Sequence, residues 1–416
     1  MTEGFGRLHA ALAALEGHYP KEIELSLGRI ERLLGALGNP HHRLPPTIHV
    51  AGTNGKGSTC AFLRAMAEAA GLKVHAFTSP HLVRFNERVR LAGALISDDA
   101  FADALERVKT ALDGGQITHF EATTAAALLA FSETPADLLI LEVGLGGRFD
   151  ATNIVPDIAV SVISPVDIDH KQFLGDTLTE IAGEKAGIIR AGVPVVSAMQ
   201  QDAAASVIAA EAERVGAPLH WLSPADIASM PKTLSLKGEH QRANAALAAK
   251  ALSLLEAPNV PPEAIIEGTQ IAEWPARLQR LEPGPITQMA GDAEVWLDGG
   301  HNPHAAKAVA DVLADFGGPL ALVTAMMASK DAEGFFAPFV PLSPAVFTCP
   351  NSEGHLGRPA EELAEAARSV GLQAADTTDV ETALMAAARS GARRILICGS
   401  LYLAGDVLAI NDTAPE

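Results

Sequence analysis

The feature that most constrains this chain is a series of short, unbroken apolar runs separated by stretches of helical length. Thr47-Ile-His-Val-Ala-Gly52, Val74 to Phe77, Asp137 to Val143 and Ile158 to Ile163 lack the alternation of a half-exposed strand. Runs of this kind belong to strands covered on both faces, so a mostly parallel sheet flanked by helices is expected. The helices between them are Ser58 to about Ala70, Ser97 (as N-cap) through Leu112, and about Glu121 to Phe131. The rhythm continues with Val193 to Ser197, a helix from Asp202 to Val215, and Leu219 to Leu222. It restarts with strands at Glu294–Asp298, Leu320–Thr324, Val346–Cys349 and Arg394–Cys398 and helices at His304–Phe316, Ala360–Val370 and Val380–Arg389. The Pro- and Gly-rich stretch Leu281 to Asp292 between the two blocks predicts a linker. The expected fold class is α/β. An N-terminal phosphate-loop type, mostly parallel sheet domain spans 1–284, and a smaller Rossmann-like α/β domain spans 293–416. The length of 416 residues fits two or three domains.

Composition excludes several classes. Lys and Arg number 31 against 50 Asp and Glu, a net charge of −19, which argues against a nucleic-acid backbone binder. Small anionic substrates remain open, because a local lysine, a cation or a helix N-terminus can hold them. No apolar run reaches the roughly 18 residues of a membrane span. The start Met-Thr-Glu-Gly lacks the basic residue of a signal peptide. Three widely spaced cysteines, Cys60, Cys349 and Cys398, form no CxxC pair and point to a reducing compartment. A cytoplasmic protein without membrane or nucleic-acid partners is expected, and the absence of a heptad pattern favours a monomer.

Gly52-Thr-Asn-Gly-Lys-Gly-Ser-Thr59 stands between the first strand and its helix. Glycines let successive N–H groups turn toward phosphate oxygens, and the helix N-terminus adds its field. Lys56 would reach the outer phosphates, and Ser58 or Thr59 would present a hydroxyl to a magnesium ion. The spacing differs from the common Gly-x4-Gly-Lys-Ser/Thr loop, and a plain glycine-rich turn is the alternative. Glu142 ends an apolar strand, where a buried carboxylate needs a counter-ion. Arg148 or a metal ion could supply it. Val166-Asp-Ile-Asp-His-Lys171 follows the next strand and reaches the same sheet edge, where open α/β sheets bind ligands.

The loop Gly52 to Thr59 resembles that of the Mur ligase superfamily, and more narrowly the folylpolyglutamate synthase/dihydrofolate synthase family. Six further segments fit in order: Phe77-Thr-Ser-Pro-His-Leu82, Phe85-Asn-Glu-Arg-Val89, Leu141-Glu-Val-Gly-Leu-Gly-Gly-Arg-Phe-Asp-Ala-Thr-Asn153, Gly183-Glu-Lys-Ala-Gly-Ile188, Asp298-Gly-Gly-His-Asn-Pro-His304 and Gly399-Ser-Leu-Tyr-Leu-Ala404. The resemblance implies an ATP-dependent ligase joining L-glutamate to dihydropteroate, to reduced folates, or to both, through an acyl phosphate.

It also implies residue roles. The nucleotide would be bound by Gly52, Thr53, Asn54, Gly55, Lys56, Gly57, Ser58 and Thr59, with Asn244 and Arg277 from the first domain and Asp298 and His301 from the second. Two Mg2+ sites are implied, Ser58 and Glu142 at one and His170 at the other, with Ser79 also a ligand. His170, Lys56 and Lys185 would be catalytic, Lys185 as a carbamate, although read plainly Lys185 is a solvated helix lysine. Thr118, Phe120, Asp150 and Ala151 would hold the pterin, with Phe120 equally placed to be core. Asn244 and Arg277 read plainly as a helix-face amide and a surface charge, and Lys330-Asp331 as either an amino-acid contact or a surface pair. A peptidoglycan Mur ligase is the rival enzyme, but only 46 residues precede the first strand, too few for a uridine-nucleotide domain. A nucleotide-binding switch without turnover is the rival of another class.

Overall fold

A computed structural model of the chain describes residues 3–19, 26–351 and 356–415. The chain forms two compact units. The first comprises Met1–Pro80, Asn86–Lys232 and Arg242–Glu273, the second His81–Phe85, Thr233–Gln241 and Trp274–Glu416.

The first unit carries β1 (Thr47–Ala51), β2 (Val74–Phe77), β3 (Val89–Leu91), β4 (Ala94–Leu95), β5 (Leu138–Glu142), β6 (Ile158–Ile163), β7 (Val195–Ser197) and β8 (Leu219–Trp221). Their order in one sheet is β4-β3-β2-β5-β1-β6-β7-β8. From β2 to β8 every neighbouring pair is parallel, while β3 and β4 add an antiparallel edge. Every residue of β1 and β5 is buried, as their unbroken apolar runs demand. The helix His119–Glu133 is buried almost continuously from Glu121 to Phe131, so it lies inside the unit rather than on its surface. The crossing order leaves β1 at the centre, with the carboxyl ends of β5 and β6 on either side.

The second unit carries β9 (Gln279–Arg280), β10 (Glu294–Leu297), β11 (Leu320–Thr324), β12 (Ala345–Thr348), β13 (Gln373–Asp376) and β14 (Arg394–Cys398), ordered β13-β12-β11-β14-β10-β9. All pairs are parallel except β9 with β10. Side chains alternate across this sheet. Val295, Leu297, Val323, Ile395 and Ile397 pack with Leu403 and Val407 on one face. Trp296, Leu322 and Leu396 pack with Val309, Leu313 and Phe335 on the other. Among the described residues no helix is long and apolar enough to cross a membrane.

The expected helices and strands recur with shifts of one or two residues. The short pieces β3, β4, β9 and β13 have no sequence signal of their own. They run two to four residues, and β13 (Gln-Ala-Ala-Asp) is a largely exposed edge. The domain boundary also differs from the expectation. Trp274 onward belongs to the second unit, and residues 281–292 are part of its body rather than a linker. Leu281 continues from β9, Pro285–Met289 is a short helix, and Leu281, Ile286 and Ala290 all sit in the core on one face of the sheet. Pro and Gly here shape a tight turn and a helix start, which composition does not distinguish from a flexible connection. The Ile286→Ala variant should therefore lose about 2–5 kcal/mol of stability, as for a buried aliphatic residue. Chemical denaturation monitored by circular dichroism reads the loss, whereas a linker position would show almost none.

Candidate active site

The exit of β1 is built by backbone bonds from a neighbour. The Thr53 and Asn54 N–H groups both donate to the Pro165 carbonyl, at 2.9 and 3.2 Å. Thr53 Oγ1 donates to the Asp167 carbonyl at 2.9 Å and accepts from the Asp167 N–H at 3.0 Å. The segment after β6, which leads to His170, thus braces the first half of the loop. Gly55 then takes φ +81° as the N-cap of the helix Lys56–Ala69. A Cβ there would stand 2.5 Å from Asn244 Oδ1, so glycine is required and Asn244 is placed against the loop as expected. Lys56 opens the helix, and its Nζ donates to the Gly52 carbonyl at 3.2 Å. Thr59 N–H bonds back to Gly55 O at 2.9 Å, so Lys56, Gly57 and Ser58 form the first turn, where helix N–H groups face outward.

Beside this turn lies the carboxyl end of β5. Glu142 is 3% exposed and pairs in register with Val50 of β1. Its Oε2 accepts from the Ser79 N–H at 3.1 Å, which brings two of the expected metal ligands together. Arg148 is not its counter-ion: Arg148 lies 3.8 Å from Glu184 and 4.0 Å from Glu211 and donates to the Gly183 carbonyl. The Ser58 and Thr59 hydroxyls are buried without a hydrogen-bond partner. Such an orphan costs about 1–3 kcal/mol, and a cation or phosphate oxygen would satisfy it. Ser58, Ser79 and Glu142 offer oxygen only, the donor type Mg2+ prefers, so these residues fit the ion. His170 lies on the segment after β6, next to Asp169. Its side chain is 44% exposed at φ +52°, with Nε2 3.9 Å from Asp169 Oδ2. Among the described residues no three His, Cys, Asp or Glu side chains converge on a metal position.

Lys185 is the sharpest departure from a plain reading of the sequence. It lies in the helix Leu178–Ala186 but is 5% exposed, not solvated. Its Nζ donates to the Gly52 carbonyl at 2.9 Å. Burial, and then the Lys56 charge, push its pKa down to about 7, against the pull of Asp169, Asp150 and Glu184. The Gly-rich loop after β5 is tied to this helix. Arg148 N–H donates to Glu184 O at 2.8 Å, and Asn153 Nδ2 donates to the carbonyls of Arg148 and Gly187 at 2.9 and 3.2 Å. Arg190, which sequence reasoning missed, donates in turn to Asn153 O and Oδ1 at 2.5 and 3.0 Å.

On the other side of the loop stand the expected pterin residues. Thr118 caps the helix His119–Glu133 in a reciprocal box with Glu121. Glu121 is buried and takes the Arg29 Nε at 3.0 Å, a pair with side-chain exposures of 14% and 7% that no local motif announces. Phe120 is half-buried, 5.9 Å from Phe77 between ring centres, with its ring edge 2.4 Å from where a Cβ on Gly144 would be. Asp150 is 5% exposed, and burial pushes its pKa up. It accepts from Leu145 N at 2.8 Å, Thr152 N at 3.0 Å and Thr152 Oγ1 at 2.5 Å, capping the short turn that Ala151 begins. The loop's own donors therefore hold this carboxylate.

In the second unit, Asp298 ends β10 and accepts from Leu278 N at 2.8 Å and Gly300 N at 2.7 Å. His301 Nδ1 lies 3.0 Å from the Gly299 carbonyl, and Asn302 caps the helix Pro303–Phe316. Arg277 is part of this unit, not of the first as expected, because the chain crosses over before Trp274. Its Nη1 donates to Ala276 O at 2.8 Å and packs against Gly299. Ala276 stands at φ +57°, a conformation glycine would adopt freely, and its N–H is held by Gln279 Oε1 at 2.9 Å. Asp331 caps the helix Ala332–Phe336 through the Gly334 N–H.

Comparison with known proteins gives the family. The family model described as Mur ligase, glutamate ligase domain, matches residues 277–401. The dihydrofolate synthase/folylpolyglutamate synthase of Escherichia coli strain K12 is 33% identical over 422 residues, 96% of this chain and 94% of that protein. The structure of E. coli FolC in complex with DHPP and ADP superposes with a TM-score of 0.85 at 31% identity, covering 99% of each chain. A bifunctional folylpolyglutamate synthase/dihydrofolate synthase with Mn, AMPPNP and L-glutamate bound gives 0.84 at 33%, covering 98% of each chain. With that identity over nearly its full length, and with the phosphate loop, Glu142 and Lys185 gathered at one sheet edge, the chain belongs to the folylpolyglutamate synthase/dihydrofolate synthase family of ATP-dependent amide-forming ligases.

Proposed function

We propose that this ligase adds L-glutamate both to dihydropteroate and to reduced folates, acting in the cytoplasm. The observation that carries the ligase chemistry is the buried, partnerless Ser58 hydroxyl in the first turn of the phosphate-loop helix, alongside a carboxylate at the end of the adjacent strand. The relatives' bound ADP, DHPP, Mn and L-glutamate support the substrate set. Three buried, unpaired cysteines support the reducing compartment.

The substrate carboxylate attacks the γ-phosphorus of ATP, the bond to the β-phosphate oxygen breaks, and ADP leaves. The glutamate amine then attacks the acyl phosphate carbonyl, a proton is lost, and inorganic phosphate departs. A free carboxylate has no usable leaving group, and phosphorylation supplies one. Lys56 and the N–H groups of the first helical turn hold the phosphoryl oxygens as negative charge moves across them. A divalent ion bound by Ser58, Ser79 and Glu142 would neutralise charge on those oxygens. For the second ion expected at His170, no three His, Cys, Asp or Glu side chains converge among the described residues, and no step is routed through it. Asn244 contacts the nucleotide in this reading, and Thr118, Phe120, Asp150 and Ala151 form the pterin side.

Lys185 enters as a carbamate. Its nitrogen adds to the carbon of CO2 and releases a proton, which requires the neutral amine. A group with a pKa near 7 supplies that form at physiological pH, whereas an ordinary lysine near 10.5 does not. The product is an anionic oxygen ligand next to the loop.

Purified protein should release phosphate with glutamate plus dihydropteroate, and also with glutamate plus tetrahydrofolate. Turnover with tetrahydrofolate alone reduces the assignment to a folylpolyglutamate synthase. Lys56→Ala should lower kcat by about 100-fold or more with circular dichroism unchanged, since one preorganised donor is worth roughly 3 kcal/mol in such sites. For Lys185, labelled bicarbonate should give a carbamate carbon signal that grows as pH rises from 6 to 8.5, through the lowered pKa, and that is absent from Lys185→Ala. The alanine variant should lose activity and regain part of it with a short carboxylic acid. A labelled protein with no such signal at pH 8.5 overturns the carbamate.

A further inference from the structure

His49 is fully buried in β1, three residues before the phosphate loop, and none of the chemistry above uses it. Its Nε2 lies 2.9 Å from Thr152 Oγ1, and its Nδ1 is buried without a partner. The direction of each bond in this chain can be assigned. Burial raises the Asp150 pKa, but Asp150 accepts backbone N–H bonds on both oxygens, from Thr152 on Oδ1 and from Leu145 on Oδ2, and these oppose that rise and favour its ionised, acceptor-only form. The single Thr152 hydroxyl proton therefore points to Asp150 Oδ1 at 2.5 Å. The Thr152 oxygen is left to accept, so His49 must carry its proton on Nε2. Burial, which lowers the His49 pKa to about 3, keeps the ring in this neutral form throughout the working pH range.

We infer that His49 is a positioning residue for the pterin side of the site, acting through Thr152 and Asp150 to fix the Gly144–Leu145 backbone against the ring of Phe120. Asp150 Oδ2 holds the Leu145 N–H, and Phe120 packs on Gly144, the residue before it. Without the Thr152 hydroxyl, Asp150 keeps only its two backbone donors, and a wall held less firmly gives a flat substrate ring a less fixed surface. The inference rests on the reading of Phe120 as a pterin contact, and the experiment separates the two.

Steady-state kinetics with dihydropteroate, ATP and glutamate would be measured for His49→Leu, His49→Gln, Thr152→Val and Phe120→Ala. Glutamine places its amide N–H near the position of the imidazole Nε2–H, so it keeps the donor. The leucine and valine variants should raise the dihydropteroate KM roughly tenfold, the scale of one hydrogen bond in a chain ending on a buried charge. The KM values for ATP and glutamate should stay within about twofold of the parent, and His49→Gln should restore most of the loss. The His49→Leu/Thr152→Val double variant should be no worse than either single one, because both break the same chain. If His49→Leu fails to fold, Thr152→Val, which keeps the side-chain shape, carries the test alone. An equal rise in the ATP KM would mean general damage to β1 and overturn the inference. An unchanged dihydropteroate KM in Thr152→Val, with a raised one in Phe120→Ala, overturns the inference alone. An unchanged value in Phe120→Ala overturns the pterin-side reading beneath it.

Discussion

The shared Pro165 carbonyl sets the geometry of the active-site edge. By accepting from both Thr53 and Asn54 it turns the chain out of β1 and commits the first half of the loop to the segment after β6. The helical first turn, Lys56 to Ser58, then carries N–H groups without intrahelical partners, available to a ligand. That division would let a loop with unusual glycine spacing bind phosphate in the proposed reading. In that reading the N–H groups that matter come from the helix end, which Gly55 starts at φ +81°, while Gly52 also takes a positive φ of +149°.

From this point the site grows outward by burial. The order β2-β5-β1-β6 sets Glu142 beside the loop and Ser79 beside Glu142. The Gly-rich turn after β5 runs to the helix of Lys185, and the Asn153 and Arg190 hydrogen bonds lock turn and helix together. Lys185 and Lys56 both donate to the Gly52 carbonyl, and burial, followed by the nearby Lys56 charge, pushes the Lys185 pKa down. A positive charge is hard to keep there, and replacing it with the negative charge of a carbamate would relieve the repulsion. The same kind of burial that perturbs Lys185 keeps His49 neutral and raises the Asp150 pKa.

The second unit repeats the logic with different parts. Asp298 closes β10, draws in the N–H groups of Leu278 and Gly300, and so fixes the turn carrying His301 and the backbone beside Arg277. Ala276 at a positive φ is held by the side chain of Gln279 three residues on and by a tertiary bond from the Gly299 N–H.

Much of this could be read in the residues themselves. Unbroken apolar runs dictated buried parallel strands, because a strand with no polar face has nowhere to meet water. The Ser97 cap, the Lys56 loop and Glu142 at a strand end followed from local chemistry that acts within a few residues. What the sequence could not settle was every property that depends on distant neighbours. Lys185 reads as a solvated helix lysine until the fold buries it against Gly52. Arg29 and Glu121 are 92 positions apart and carry no mutual signal, yet they form a buried pair. Residues 281–292 look like a flexible connection by composition, and only packing of Leu281, Ile286 and Ala290 makes them core. The sequence by itself determined the sheet type, the phosphate loop and the family. The tertiary structure decided burial, and with it the charge state of each buried group, because desolvation depends on what surrounds a side chain and not on what precedes it in the chain.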